Sequence, residues 1–156
     1  MTAKMDTGLK KADRADIAVE LKKVLADSFA LYLKTHGYHW NVRGPQFFGL
    51  HNMLEQQYRE QWAALDEIAE RIRALGEFAP MTFGNLTSIK DGDPEKGSDA
   101  MLTELMGDHE TLIATCRGAI ETADQAGDEA TADLLTQRLA AHEKAAWMLR
   151  STLGGK

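Results

Sequence analysis

The scarcity of proline constrains the fold of this chain more than any other feature of its sequence. Its 156 residues contain only three prolines, at positions 45, 80 and 94. Proline inside a helix removes a hydrogen bond and clashes with the preceding turn, so this spacing permits long helices. No segment alternates apolar and polar residues as a half-buried strand does. The chain is therefore predicted to be all-α.

Four segments carry apolar residues at spacings of three and four, which indicates four amphipathic helices. We predict them at about 16–40, 46–75, 98–126 and 128–152, with Ser98 as the N-cap of the third helix and Gly127 as its end. The long connection 77–97 is predicted to carry a short helix near 83–89. This order, with one long crossover between the second and third helices, is that of a ferritin-like four-helix bundle, which we place at 16–153.

A short basic tail, residues 1–15, precedes the predicted bundle. It carries Lys4, Lys10, Lys11 and Arg14 against two aspartates, whereas the whole chain has a net charge of -6. Without apolar periodicity, we expect the tail to be flexible. It is either a solvated terminus or an arm that binds nucleic-acid phosphates. The acidic balance of the remaining chain argues against nucleic-acid binding by the bundle itself.

Several protein classes are excluded by composition. No run approaches the ~18 consecutive apolar residues of a membrane span, and the N-terminus does not resemble a signal peptide. The single cysteine, Cys116, cannot form a disulfide within the chain. We therefore expect a cytoplasmic protein that does not associate with membranes.

The second predicted helix carries two pairs of potential metal ligands. His51 and Glu55 are four residues apart, as are Asp66 and Glu70, so each pair lies on one helical face. His39 lies just before the turn into this helix. Imidazole and carboxylate ligands together suit iron, zinc or manganese better than calcium.

The spacing between these pairs predicts a site shared by two chains. Glu55 and Asp66 are eleven residues apart, which is close to three whole turns and roughly 16 Å along the helix axis. Two metals in a dinuclear site lie only ~4 Å apart, so one continuous helix cannot bring both pairs to one centre. Two antiparallel copies related by a two-fold axis can, which predicts a homodimer with two sites.

The alternative is that these acids form a solvated helical face beside Arg71 and Arg73, with His51 an ordinary histidine. In addition, none of the five histidines follows a glutamate by three residues. The Glu-x-x-His ligands of a di-iron centre inside one bundle are therefore missing.

The sequence resembles the Dps family, the mini-ferritins named for DNA-binding protein from starved cells. The likeness covers about 16–153. It is carried by the stretch His39-Trp40-Asn41-Val42-Arg43-Gly44-Pro45, by Phe47, Leu50, His51 and Tyr58, by Asp66-Glu67-Ile68-Ala69-Glu70-Arg71, by the run 127–134, and by His142-Glu143-Lys144 with Trp147-Met148.

The resemblance implies a hollow shell of twelve subunits with ferroxidase centres between two-fold-related chains. One subunit would supply His39, His51 and Glu55, and its mate Asp66 and Glu70. The implied reaction is oxidation of Fe(II), preferably by hydrogen peroxide, with storage of the ferric mineral in the shell and protection against oxidative damage. The family usually has Asp where Glu55 stands, and Glu reaches one methylene further.

Two further assignments follow from the resemblance, each with a structural alternative. Trp40 would intercept stray oxidising equivalents or simply pack. Asp124, Glu129 and Asp133 would line a three-fold pore through which iron enters, or would favour the dipole of the fourth helix as acids of its first turn.

Two other functions remain as alternatives to the ferroxidase. The first is a nucleoid protein that coats DNA without catalysis, in which twelve tails would bind through avidity. The second is a purely structural shell with an inactive site.

Overall fold

The computed structural model describes residues 5–155, which contain four long helices and no strand. The helices are α1 (Lys11–Asn41), α2 (Phe47–Ala74), α3 (Ser98–Ala126) and α4 (Glu129–Thr152). One 3-10 turn, Gly84–Leu86, lies in the connection between α2 and α3. The predicted helices and the short helical element of the crossover are thus confirmed. None of the described helices is long and apolar enough to cross a membrane.

One predicted helix start and one predicted N-cap differ from the structure. The first helix begins at Lys11, five residues earlier than expected, and it therefore includes part of the predicted tail. Arg14 explains this early start because its guanidinium donates to the carbonyl oxygens of Leu9 (2.7 Å) and Leu75 (3.1 Å). The N-cap of α3 is Gly97 rather than Ser98, whose side chain makes no capping bond. Lys4 lies outside the described residues.

Glycines and one aspartate form the tight connections between helices. Gly44 has a φ of +117° in the α1–α2 turn, and Gly127 has a φ of +73° directly after α3. Both values are strained for residues with a Cβ atom. Asp128 then caps α4 by accepting a hydrogen bond from the backbone N–H of Thr131 (3.1 Å). The α3–α4 connection therefore needs only two residues.

The core lies between helix pairs that pack along their lengths. α1 packs on α2 and α3, and α3 packs on α4, whereas α2 and α4 touch at few positions. The core consists mainly of aliphatic side chains that are fully or almost fully buried, among them Ile17, Leu21, Leu31, Leu54, Ile68, Ile72, Leu105, Leu112 and Leu135. Because α2 and α4 barely meet, space remains between them for polar side chains.

A buried aspartate holds the crossover against the bundle. Asp27 of α1 accepts hydrogen bonds from the Thr87 hydroxyl (2.9 Å) and the Ser88 backbone N–H (3.2 Å). Its second carboxylate oxygen accepts from the Thr115 hydroxyl of α3 (2.8 Å). One side chain therefore joins α1, the crossover and α3.

Lys34 is the centre of a second polar cluster beneath the crossover. Its side chain is only 2% exposed, and its ammonium lies 3.0 Å from Glu104 and 2.7 Å from Asp108. Glu104 also accepts from Lys96 (2.6 Å) and from the Tyr38 hydroxyl (2.7 Å). Burial alone would raise the pKa of Glu104, but the hydrogen bonds from Lys96, Tyr38 and Lys34 lower it to about 2. The cluster ties α1 to α3 and to the end of the crossover.

Replacing the buried lysine is expected to destabilise the protein strongly. Lys34→Met leaves two carboxylates without their shared cation, and removing one partner of a buried ion pair costs about 3–5 kcal/mol. Urea unfolding at a fixed protein concentration measures the loss. The control is Lys23→Met, because Lys23 pairs with Glu20 at the surface and such pairs contribute at most about 1 kcal/mol. Equal losses of unfolding free energy in the two variants would contradict the larger contribution that we predict for the buried cluster.

Candidate metal centre

His39 and His51 are brought together by the short turn between α1 and α2. His39 lies in the last turn of α1 and His51 in the second turn of α2. Each Nδ1 lies 2.8 Å from the backbone carbonyl oxygen of the other histidine. The rings stack with centroids 3.7 Å apart and an interplanar angle of 17°. The two side chains therefore hold each other in fixed orientations.

These reciprocal bonds determine which ring nitrogens are available to a ligand. A carbonyl oxygen only accepts, so both Nδ1 atoms must carry the proton. In each neutral ring the lone pair is then on Nε2, and no group within residues 5–155 hydrogen-bonds to either Nε2. A histidine that donates its other N–H to a carbonyl is the usual arrangement of a metal ligand.

Glu55 follows His51 by one helical turn of α2, and its carboxylate is partly free. Its side chain is 41% exposed and contacts Arg59 (3.4 Å) and the Tyr58 hydroxyl (3.5 Å) at long distances. Exposed pairs of this kind contribute little, so the carboxylate can move to another cation at low cost.

Asp66 and Glu70 lie further along α2, and both are exposed. If these acids formed a solvated helical face, Arg71 and Arg73 would be expected to pair with them. Instead, Arg71 contacts Thr131 (2.8 Å) and Asp128 (2.8 Å), and Arg73 donates to the carbonyl oxygen of its neighbour Glu77. Neither acid has an ion-pair partner within the described residues.

The two ligand sets do not meet within one chain. The helix α2 is continuous from Phe47 to Ala74, so the rise of ~1.5 Å per residue keeps Glu55 and Asp66 roughly 16 Å apart. Residues 5–155 contain no group of three or more His, Cys, Asp or Glu that could hold a metal ion. The donor types fit iron, but the described part of one chain does not bring a complete ligand set together.

An aromatic cluster borders the histidine pair, and sequence reasoning missed most of it. The His36 ring stacks on the Tyr58 ring, with 3.8 Å between their centroids. Its Nδ1 shares a hydrogen bond with the Tyr32 hydroxyl (3.0 Å), and its centroid lies 4.2 Å from that of the Trp40 ring. Burial, followed by the nearby charges of His39 and Arg59, lowers the pKa of His36. Trp40 is 61% exposed and does not belong to the core of this chain.

The spacing of this cluster was present in the sequence. Tyr32, His36 and Trp40 follow one another at intervals of four and therefore share a face of α1. The contribution of Tyr58 from α2 could not be derived from that spacing, because it depends on how the two helices pack.

The three acids assigned to a pore lie at one end of the bundle. Asp124 is at the end of α3, and Glu129 and Asp133 are in the first turns of α4; all three are exposed. Asp128 between them is buried and serves as the N-cap of α4. Burial opposes ionisation of Asp128, but bonds from Thr131 and Arg71 lower its pKa.

Comparison with known proteins identifies the family of this chain. The ferritin-like domain family matches residues 19–155. DNA protection during starvation protein 2 of Bacillus anthracis is 38% identical over 136 residues, which cover 85% of this chain and 93% of the relative. The crystal structure of a Dps protein from Bacillus brevis superposes with a TM-score of 0.86 at 35% identity, covering 96% of this chain and 99% of the other. The chain belongs to the Dps family.

A second solved Dps structure places the family in a chemical class. The Dps protein of Vibrio cholerae O1 superposes with a TM-score of 0.90 at 30% identity over 98% of both chains. It is described as a member of a broad superfamily of ferritin-like diiron-carboxylate proteins. The predicted all-α ferritin-like bundle is thereby confirmed, and iron is the metal that this superfamily implies.

Proposed function

We propose that this Dps-family chain is a ferroxidase that oxidises Fe(II) at sites between two subunits and stores the ferric product. The observation that carries the proposal is the reciprocal histidine pair, in which the Nε2 atoms of His39 and His51 receive no hydrogen bond from residues 5–155. Two oriented imidazoles, together with the Glu55 carboxylate one helical turn after His51, would form half of a metal-binding set.

The other half of the proposed site is the exposed pair Asp66 and Glu70 of a second subunit. These acids lie three turns along the same helix, in phase with His51 and Glu55. In two antiparallel copies of α2, the histidines of one chain would therefore face the acids of the other. The two-fold axis would form this site twice. The absence of ion pairs on both acids in the described residues supports this assignment, since neither carboxylate has to break a strong contact.

The proposed reaction takes Fe(II) as its substrate and favours hydrogen peroxide as the oxidant. Two Fe(II) ions lose one electron each, and peroxide gains two electrons and two protons to leave as two waters. A site that holds both ions allows the oxidant to receive both electrons together, which limits release of hydroxyl radical. Zinc or manganese could replace iron at the same imidazole and carboxylate ligands.

Storage requires an assembly, for which we propose a dodecameric shell in the cytoplasm. Several large apolar side chains are exposed on the single chain, as expected for surfaces that pack against other subunits: Phe48, Trp62, Phe78, Met81 and Trp147. Asp124, Glu129 and Asp133 would line the pore for iron. Trp40, beside the ligand His39 and exposed, would intercept stray oxidising equivalents.

DNA binding is the second candidate function, and the names of the relatives favour it. The B. anthracis relative is described as protecting DNA during starvation. In this chain Lys10 and Lys11 are exposed, whereas Arg14 is held by Leu9 and Leu75 and is not available to phosphates. This removes one cation from the predicted arm, and we rank DNA coating below iron oxidation.

Removing the two acids of the proposed site is expected to abolish rapid iron oxidation. The variant carries Asp66→Ala and Glu70→Ala, which suit an exposed helix because Ala has the highest helix propensity. After anaerobic loading with Fe(II) and addition of peroxide, the initial rate of ferric absorbance should fall more than about tenfold. A control with Glu95→Ala and Glu110→Ala removes two exposed acids outside α2. Oxidation at the wild-type rate by the D66A/E70A variant would disprove the site.

Mixed assemblies test whether the site is shared between chains. A second variant carries His39→Asn and His51→Asn, which keep an N–H donor near the Nδ1 position and remove Nε2. Each variant alone should be inactive. When the two are co-assembled in equal amounts, each site draws its histidines and its acids independently from different chains, so about one quarter of sites should be intact. A co-assembly without activity would mean that both ligand sets must come from one chain.

The DNA-coating alternative predicts a salt-dependent gel shift. The assembled protein should retard duplex DNA at ~50 mM salt and release it as salt rises, because phosphate contacts are strongest at low salt. A variant with Lys10→Gln and Lys11→Gln should lose the shift, while its iron oxidation stays unchanged. Unaltered DNA mobility of the wild-type protein at ~50 mM salt would rule out DNA binding by the tail.

A further inference from the structure

The aromatic side chain of Trp62 is exposed in the middle of the α2 face that carries the proposed metal ligands. It is 59% exposed, although tryptophan is highly buried on average. At ~100° per residue, Trp62 lies within ~40° of both Glu55 and Asp66 around the helix axis. Its ring packs on the ring of Tyr32 in α1, with 5.1 Å between the centroids. More than half of the Trp62 side chain is nevertheless left uncovered by this chain.

A row of aromatic rings continues from Trp62 onto α1 and the crossover. The Tyr32 ring lies 6.0 Å from the Phe29 ring, which lies 5.1 Å from the Phe83 ring, measured between centroids. Phe29 is itself exposed. We call Phe29, Tyr32, Trp62 and Phe83 the aromatic row. Contiguous exposed apolar groups mark surfaces that contact other proteins, and Trp, Tyr and Arg contribute most to the affinity of such surfaces.

The ligand pairs of α2 determine where a two-fold axis would cross this helix. This step rests on the shared metal site proposed above, in which His51 faces Glu70 of the second chain and Glu55 faces its Asp66. The midpoint of His51 and Glu70 is also the midpoint of Glu55 and Asp66, and it lies between residues 60 and 61. A single two-fold axis at that point therefore aligns both pairs at once.

Arg59 and Trp62 flank this midpoint on the face that carries the ligands. Glu60 and Gln61 are nearer to the midpoint but point elsewhere, because Glu60 pairs with Arg138 of α4 and Gln61 is buried. Since Arg59 and Trp62 are equally far from the midpoint, the axis would place Arg59 of one chain opposite Trp62 of the other, twice. Residues this close to the axis stay opposite each other over a wide range of helix crossing angles.

The side chain of Arg59 is available for such a contact. It is 69% exposed, and its guanidinium lies 3.4 Å from Glu55 and 5.6 Å from the centroid of the Tyr58 ring. Exposed ion pairs contribute little, so the guanidinium can leave Glu55 at low cost. A guanidinium within ~6 Å of a tryptophan ring is attracted to the ring face, and more strongly where water is excluded. The two facing side chains therefore have complementary chemistry.

We propose that Arg59 and Trp62 form a reciprocal contact between two copies of this chain, and that this contact sets the register of the proposed metal site. The aromatic row forms the apolar part of the same interface. Arg59 and Trp62 are positioning residues, because they hold the histidine half of the site opposite the acid half. A slip of one helical turn would shift the ligands by about 5.4 Å and separate the two halves.

Opposite charges at position 62 test this contact. Trp62→Glu and Trp62→Arg both remove the packing on Tyr32, but only W62E offers an opposite charge to the facing Arg59. Sedimentation of the iron-free protein over a range of concentrations measures assembly. W62R should need at least about tenfold more protein than the wild type for half-assembly, because tryptophan is a frequent interface hot spot. W62E should assemble more readily than W62R.

Two further variants separate the contact from general effects of charge. Adding Arg59→Glu to W62R restores opposite charges across the axis, so R59E/W62R should recover much of the assembly that W62R loses. Gln56→Arg adds a cation at an exposed position of α2 outside the ligand-bearing face and should assemble like the wild type. Within one chain, Asp66 one turn later favours arginine over glutamate at position 62. Better assembly of W62E therefore cannot come from a more stable helix.

Iron oxidation separates this proposal from that of the metal site. D66A/E70A keeps Arg59 and Trp62, so it should assemble and lose oxidation, whereas W62R should lose both. Equal assembly of W62R and W62E, or no recovery in R59E/W62R, would overturn the register contact even where the wild-type protein oxidises iron. Oxidation at the wild-type rate by D66A/E70A would instead overturn the metal site, while the expected order of assembly among the position-62 variants would still support the contact.

Discussion

The unbroken helix α2 is the constraint on which the proposed chemistry of this protein depends. Because α2 is one continuous helix from Phe47 to Ala74, its two pairs of potential ligands lie about three turns apart. A rigid spacing of this kind cannot be closed by side-chain movement. Each chain would therefore supply one half of each of two proposed centres. The histidines lie near one end of the helix and the acids towards the other. The proposed activity therefore requires assembly, because an isolated subunit would lack a complete set of metal ligands.

The rest of the bundle holds α2 in place at both ends. The α1–α2 turn brings His39 against His51, so that each backbone carbonyl orients the ring of the other. At the opposite end, Arg71 reaches from α2 to Asp128 and Thr131 at the start of α4. The buried Lys34 cluster secures α1 against α3 and the crossover. These polar contacts stabilise the orientation of the helix rather than the core itself, which is aliphatic.

The bundle also leaves polar groups that the iron chemistry does not use. Gln57 and Gln61 of α2 are buried, and their amide atoms have no hydrogen-bond partner within the described residues. His109 of α3 and His142 of α4 are also buried, with their Nδ1 atoms 3.0 Å apart.

The sequence by itself determined the four helices, the crossover and the in-phase pairs of potential ligands on α2, because these depend on local periodicity and spacing; its motifs carried the resemblance to the Dps family. It placed the start of α1 five residues late, since Arg14 is held by Leu75, which lies 61 residues away in the chain. It did not predict the contact between His109 and His142, because these two residues lie on different helices. Only the tertiary structure decided which histidine nitrogens are free, that Arg71 points away from Glu70, and that His109 meets His142. Hydrogen-bond direction and burial arise from packing between distant segments, which one-dimensional spacing does not contain.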